Sequence, residues 1–451
     1  MRTHFTRCLA VVLTAASLAS CSRDHARTDE AVSAALHAAV DAKRPSFTAE
    51  AGKRGHQVWQ DAQRFYRQNG YQLAWSNGTR ARAPFDALLR ALHAADREGL
   101  EPSDYGVAEL DAAPRSGFTR DQAVTFDLRA TYAYLHCAWD LTHGTVDPED
   151  LDPHWHASTR LRSTARSGQA QEIDLPATLQ SALGDGRVER SLSDLAPSSP
   201  QYQGLKQQLA RARTGGDAAT AQQIVMNMER WRWLPDDLGS RYILVNIPEF
   251  RLDVIENGRS VLDMKVVTGK KTSPTPVLAD RLTTVVFSPY WNIPQDIVEK
   301  EILPKLEKNP GYLEKNNIEQ DGESGRYRQR PGTGNSLGGV KFVFPNHFNV
   351  YLHDTPSQAL FDRVERDFSH GCVRLDEPDA LAQYVLRDQP EWTAEKIAAA
   401  MRSGTEHAVK LKQPLPIYLV YFTAWEEQGA LETAPDVYGL DRRHDTAAKG
   451  Q

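Results

Sequence analysis

The feature that most constrains this chain is a change of hydrophobic period near residue 240. From Val58 to about Trp155, apolar residues recur at spacings of three and four: Phe65 and Tyr66, then Phe85, Leu88, Leu89, Leu92 and His93, then Ala130, Ala133, Tyr134 and Ala138. That is the pattern of single helix faces. Gly70, Gly78, Gly99, Pro102 and Gly144 punctuate it, which predicts a helical bundle with short connections. A second helical stretch runs from about Tyr202 to Trp233. Beyond it lie short β-branched or aromatic runs at 242–247, 252–255, 261–267, 282–287, 340–344, 348–352 and 417–422, separated by Asn-Gly, Pro and Gly. Runs of this kind predict strands of a mainly antiparallel sheet. The fold class is therefore α+β, with a helical domain over 56–239, a sheet domain over 240–425 and a polar, peripheral tail over 426–451.

Between the strands near 287 and 340 lies an insertion, about 290–339, with a helix-like piece from Gln295 to Leu306 followed by a Gly- and charge-rich segment. Insertions of this length in a compact sheet are commonly lids or binding loops. A mobile cap over a site is the expectation.

Composition narrows the class of partner. With 40% hydrophobic and 25% charged residues among 451, and a net charge of −6 that is not gathered into blocks, the chain reads as globular. It lacks the basic face that nucleic acid requires. Residues 1–20 carry Arg2 and Arg7 ahead of a mostly apolar or small stretch, Leu9 to Ala19, the pattern of an export signal. Its end, Leu18-Ala19-Ser20-Cys21, resembles the lipobox of bacterial lipoproteins. The resemblance implies lipidation of Cys21 and, with Ser22 following, a periplasmic protein anchored to the outer membrane through a tether over 21–55, with a short amphipathic helix around Glu30 to Ala42. Of the four cysteines, Cys8 would be lost and Cys21 lipidated, leaving Cys137 and Cys372. A free thiol in an oxidising compartment is a liability, so one that is kept is a candidate for chemistry. Cys137, at helical spacing amid Tyr134, Leu135 and Trp139, reads as core.

Chemistry gathers late in the chain. In an alternating run Phe348 to His353, Asn349, Tyr351 and His353 share one face. Ser369-His370-Gly371-Cys372-Val373-Arg374 follows, and an extended 370–374 would project His370, Cys372 and Arg374 to one side. A nucleophilic thiol needs a base within hydrogen-bond reach, and His353 and His370 are the candidates. Backbone N–H groups around Gly371 and Cys372 are candidate oxyanion donors.

His353, fifteen intervening residues, then Ser369-His370-Gly371-Cys372 resembles the signature of the L,D-transpeptidase catalytic domain. Met228 to Pro235, Tyr290 to Pro294, Pro331 to Gly338, Lys341 to Asn346 and Tyr351 to Pro356 are similar to its large periplasmic branch, as are Gly99 to Tyr105 and His143 to Val146 in the helical region. The resemblance implies Cys372 as nucleophile and His353 as base and acid, oriented by the carbonyl of Asp354. It implies that Ser369, His370 and Gly371 shape the oxyanion pocket, with Arg374 and Tyr351 as candidates to bind substrate. It further implies a helical scaffold domain, peptidoglycan stem peptides as substrate, cleavage between diaminopimelate and D-Ala through a thioester, transfer to an amine, sensitivity to carbapenems and no metal or organic cofactor. Cell-wall synthesis proteins are possible partners. One departure stands out: only Arg213 to Asn227 occupies the place where this branch commonly inserts a small peptidoglycan-binding module.

Competing readings are weaker. A zinc site from His353, His370 and Cys372 has neither Cys-x-x-Cys nor His-Glu-x-x-His beside it. Gly334-Asn-Ser-Leu-Gly338 matches the serine nucleophile elbow but leads into a strand where the elbow requires a helix. No Ser-x-x-Lys occurs, against a penicillin-binding serine enzyme. A carboxypeptidase or cross-link hydrolase on the same fold, and a non-catalytic envelope scaffold, remain the alternatives.

Overall fold

The structure, a computed structural model, describes residues 30–42, 45–47, 52–153, 155–156 and 173–443. The export signal, the lipobox and Cys21 lie outside them. The described residues divide into two compact units, one holding those up to Thr145 with 173–232, the other 146–156 with 233–443. Among the described residues no helix is long and apolar enough to cross a membrane.

The first unit is helical and is organised around Arg120–His143. A capping box starts this helix: Thr119 Oγ1 accepts from the Gln122 N–H at 3.3 Å while the Gln122 side chain accepts from the Thr119 N–H at 2.9 Å. It is buried almost all round, so its polar residues must be satisfied internally. Asp127 does this by accepting from the N–H groups of Ala74 (2.8 Å) and Trp75 (2.9 Å) and from the Tyr66 hydroxyl (2.9 Å). Burial nonetheless pushes its carboxyl up to about 6. Residues 30–41 are not mere tether: they form a helix whose Val32, Leu36 and Val40 are buried. Helices Leu175–Gly184 and Val188–Leu195, which the sequence reading passed over, also belong here. The predicted stretch 202–233 is two helices, Pro200–Thr214 and Ala218–Arg232, joined by a turn at 215–217.

The second unit is built on a ten-stranded sheet in which the short pieces Trp155–His156 and Asp367–Ser369 pair parallel with two of eight main strands: β1 Arg241–Asn246, β2 Arg251–Glu256, β3 Arg259–Gly269 (beside Asp367–Ser369), β4 Val277–Phe287 (beside Trp155–His156), β5 Val340–Val343, β6 Leu352–His353, β7 Val373–Leu375 and β8 His407–Val420. Their order is β4-β8-β1-β2-β3-β7-β6-β5, and β5 pairs back onto β4, so the sheet closes on itself. Most neighbours are antiparallel, while β6 with β7 and β8 with β1 are parallel. Val245, Leu252, Val266, Val285, Phe342, Leu352, Val373 and Ile417 form the core with Leu381, Leu386 and Ile397 from helices Pro378–Leu386 and Ala394–Met401.

Three expectations change. The strand predicted over 348–352 shrinks to Leu352–His353, because Asn349 takes φ +54° and Asn346 ties a turn. Asn346 Nδ2 donates to the carbonyls of Phe344 (2.9 Å) and Val350 (2.7 Å), and its Oδ1 accepts from the Val350 N–H (3.1 Å). The insertion is a small folded body, not an open loop. Strands 291–292, 318–320 and 327–329 form a three-stranded sheet beside a helical run over 295–308, around Ile293, Ile297, Val298, Ile302 and Ile318. The tail is not peripheral: Tyr438 and Leu440 are buried, and Tyr438 stacks on Tyr421.

The Tyr438 hydroxyl donates to the Gly269 carbonyl at 2.6 Å and accepts from the Thr275 N–H at 3.2 Å. Tyr438→Phe leaves both groups buried without this partner, so unfolding in urea should show a loss of roughly 1–3 kcal/mol.

Candidate active site

The three neighbouring strands β5, β6 and β7 set the site. In β6, Leu352 faces the core and His353 the opposite side, as period-two alternation requires. Across the antiparallel pairing His353 stands opposite Lys341 of β5, and across the parallel pairing opposite Arg374 of β7. The Val373 N–H donates to the Tyr351 carbonyl at 3.1 Å, so Tyr351 and Cys372 continue the same register one step earlier on the shared face. Tyr351, His353, Cys372 and Arg374 therefore come together, with thiol and imidazole on adjacent strands in the diagonal relation that long side chains can span.

The imidazole is held in one tautomer. His353 Nδ1 lies 2.5 Å from the Asp354 carbonyl oxygen, which can only accept. Nδ1 thus carries the proton and Nε2 the lone pair. The carbonyl is itself positioned by the Asp354 side chain, whose carboxylate accepts from the N–H groups of Gly339 (2.7 Å) and Thr355 (2.6 Å). Gly338, at φ +61°, passes so close that a Cβ would overlap that carboxylate. The serine-elbow look-alike 334–338 is in fact this brace. Its Asn335 is buried, donates to the carbonyls of Pro289 (3.0 Å) and Arg330 (2.8 Å), and accepts from the Leu337 N–H (2.8 Å).

The turn before Cys372 is held from two sides. Ser369 Oγ donates to the Cys372 carbonyl and accepts from the Gly371 N–H at 3.1 Å. Thr275 Oγ1 donates to the Gly371 carbonyl and accepts from the Gly269 N–H, both at 2.8 Å. The Gly371 N–H is therefore occupied, which corrects its expected part as an oxyanion donor. Among the described residues the Cys372 N–H has no acceptor and is the donor left at that point. His370 is half-exposed and points away to the insertion, its Nε2 2.9 Å from Glu301 and 3.4 Å from Lys270 Nζ. It supports the turn from outside.

The electrostatics differ from the sequence expectation of an activated thiolate. Burial pushes the Cys372 thiol up to about 11, against the opposing pull of hydrogen bonds from the Tyr351 backbone and hydroxyl and of the Arg374 charge. Burial, with the Arg374 and Lys341 charges, drives His353 down to about 3 although the Asp354 carbonyl favours its protonated form. At rest the pair is a neutral thiol beside a neutral imidazole. Burial also lowers Arg374 and Lys341. Tyr351 is raised, first by burial and then by Cys372. Among the described residues no group of three His, Cys, Asp or Glu side chains is placed to hold a metal. Cys137 is buried within the helical unit.

Sequence reasoning missed Lys341, Gly338, Thr275 and Tyr438. Lys341 was legible as the outward residue of Val340 to Phe344, but nothing local marks the other three as parts of this site.

A thiol and an oriented imidazole on neighbouring strands of a closed sheet define a cysteine–histidine site suited to chemistry at a carbonyl. Residues 240–401 match the L,D-transpeptidase catalytic domain and residues 60–209 the scaffold domain. A Haemophilus influenzae protein provisionally named an L,D-transpeptidase is 28% identical over 392 residues, covering 80% of this chain and 79% of its own. Two solved structures are similar in part. One is an L,D-transpeptidase from Mycobacterium smegmatis, 16% identical over 40% of this chain and 58% of its own, with a TM-score of 0.23. The other is L,D-transpeptidase 3 from Mycobacterium tuberculosis with a faropenem-derived adduct, 15% identical over 40% and 60%, with a TM-score of 0.22. The alignment thus spans about three-fifths of each solved chain.

A histidine with a depressed folded pKa contributes stability above its unfolded value near 6.5, and that stability is lost as pH falls toward about 3. Below pH 6.5, wild type should lose stability relative to His353→Gln by about 1.4 kcal/mol per pH unit, measured as paired urea titrations in which the other titrating groups cancel.

Proposed function

We propose that the chain is an L,D-transpeptidase acting on peptidoglycan tetrapeptide stems. The observation that carries this reading is the shared face of β6 and β7, where His353, its proton held on Nδ1, keeps the lone pair on Nε2 and Cys372 lies diagonally across, its Sγ 3.9 Å from the Asn349 carbonyl. His353 takes the thiol proton as sulfur attacks the carbonyl between diaminopimelate and D-Ala. The oxyanion is received by the Cys372 N–H, and a preorganised donor of this kind lowers a barrier by roughly 3–4 kcal/mol. The C–N bond breaks, His353 returns its proton to the leaving amine, and D-Ala departs from a thioester. The amine of a second stem, or of a protein to be joined to the wall, then attacks; His353 takes its proton and passes it to the sulfur as the C–S bond breaks, restoring the thiol. Tyr351 steadies the sulfur through its hydroxyl and N–H. The export signal and lipobox support a periplasmic protein, lipid-anchored through Cys21 to the outer membrane, where stem peptides and wall-synthesis proteins are within reach.

Purified protein should release D-Ala from tetrapeptide muropeptides and gain the mass of one carbapenem. Cys372→Ala should do neither, and His353→Ala should turn over roughly 10²- to 10⁴-fold more slowly. Unchanged release by Cys372→Ala ends this reading. Product analysis with and without an acceptor stem separates transfer from hydrolysis.

The neutral pair makes a second prediction. With the thiol near 11 and the imidazole near 3, kcat/KM for D-Ala release should stay flat between about pH 5 and 9. A limb at pH 6–8 would show instead a preformed thiolate–imidazolium pair.

A further inference from the structure

His353 stands between two cations that no acid neutralises directly. Lys341 is its register partner on β5 and Arg374 its partner on β7, and both charges reach the imidazole. Both side chains are half-buried. Among the described residues neither forms an ion pair. Arg374 Nε is buried with no hydrogen-bond partner, and Lys341 Nζ has the Tyr351 ring 6.0 Å away. Two acids of this neighbourhood hold backbone amides instead. The Asp354 carboxylate is taken by the Gly339 and Thr355 N–H groups, and Glu406, which attracts Lys341 from a distance, accepts from the Tyr290 N–H at 2.7 Å. Two partly desolvated like charges without counterions cost folding free energy. Such pairs are a mark of sites where a ligand supplies the missing charge.

We propose that Lys341 and Arg374 form a carboxylate subsite on either side of His353, which grips the terminal carboxylate of the leaving D-alanine. This rests on the function proposed above. The argument is one of covalent reach: His353 Nε2 must protonate the leaving nitrogen, and in D-alanine the carboxylate is borne by the carbon attached to that nitrogen. Its oxygens therefore lie on the order of 3 Å from the protonated atom, beside the imidazole and within the span of the flanking side chains. The subsite makes the enzyme read a free chain end. It also serves the chemistry: both cations disfavour protonation of His353, and a bound carboxylate offsets them when the imidazole must take the thiol proton.

The test compares three tetrapeptide donors: the free acid, the same peptide amidated at the D-Ala terminus, and one amidated at the distal carboxylate of diaminopimelate. Wild type should favour the free acid over the terminal amide by at least tenfold in kcat/KM for release of the terminal residue. In Lys341→Met that ratio should collapse toward one, and Lys341→Arg should restore much of it, which a variant harmed only in folding cannot do. If Lys341→Met keeps the wild-type ratio, or if the ratio that collapses is the one for the distal carboxylate, the assignment is overturned. Wild type that releases nothing from any donor defeats instead the function on which this inference rests.

Discussion

The geometry of the Cys372–His353 site depends on one hydrogen bond, from His353 Nδ1 to the carbonyl of the next residue. It fixes the tautomer, and with it the atom that can accept a proton from the thiol. A main-chain carbonyl is a dependable partner because its position is set by backbone geometry and it has no protonation state to lose. That position is enforced in turn by the Asp354 side chain clasping two backbone amides, and by a glycine whose lack of Cβ lets the loop approach. The segment 331–339 therefore supports the base from behind.

The paired strands do the remaining work. Parallel pairing of β6 with β7 places residues in the same order along both strands, so Tyr351 and His353 meet Cys372 and Arg374 as two matched pairs on one face. Antiparallel β5 adds Lys341 on the other flank. On the reverse face the same strands supply Phe342, Leu352 and Val373 to the core, so slipping the register by one residue would bury the site and expose the core. Packing and site geometry are one constraint.

The sequence showed the helical and sheet units and the mainly antiparallel pairing, because hydrophobic period is a local signal, and motif spacing put Cys372 and His353 forward as candidates. It did not show what depends on contacts distant in the chain. The alternation over 348–353 was real from Val350 onward, but Asn346 and a left-handed Asn349 replace its first half with a turn. Gly371 reads as an oxyanion donor until Ser369 is seen to occupy its N–H. The thiol reads as activated by its neighbours until burial is weighed against them. Helix 30–41 was placed correctly, yet its three buried residues show that it serves the helical unit more than a linker would.

Tyr438 comes later in the chain than every residue of the site, yet its hydroxyl clasps the 269–275 loop whose Thr275 steadies Gly371. During synthesis, then, the turn that carries Cys372 lacks one of its struts until residue 438 has been added. The Cys372 sulfur therefore reaches its final geometry only after a segment made more than sixty residues later has docked.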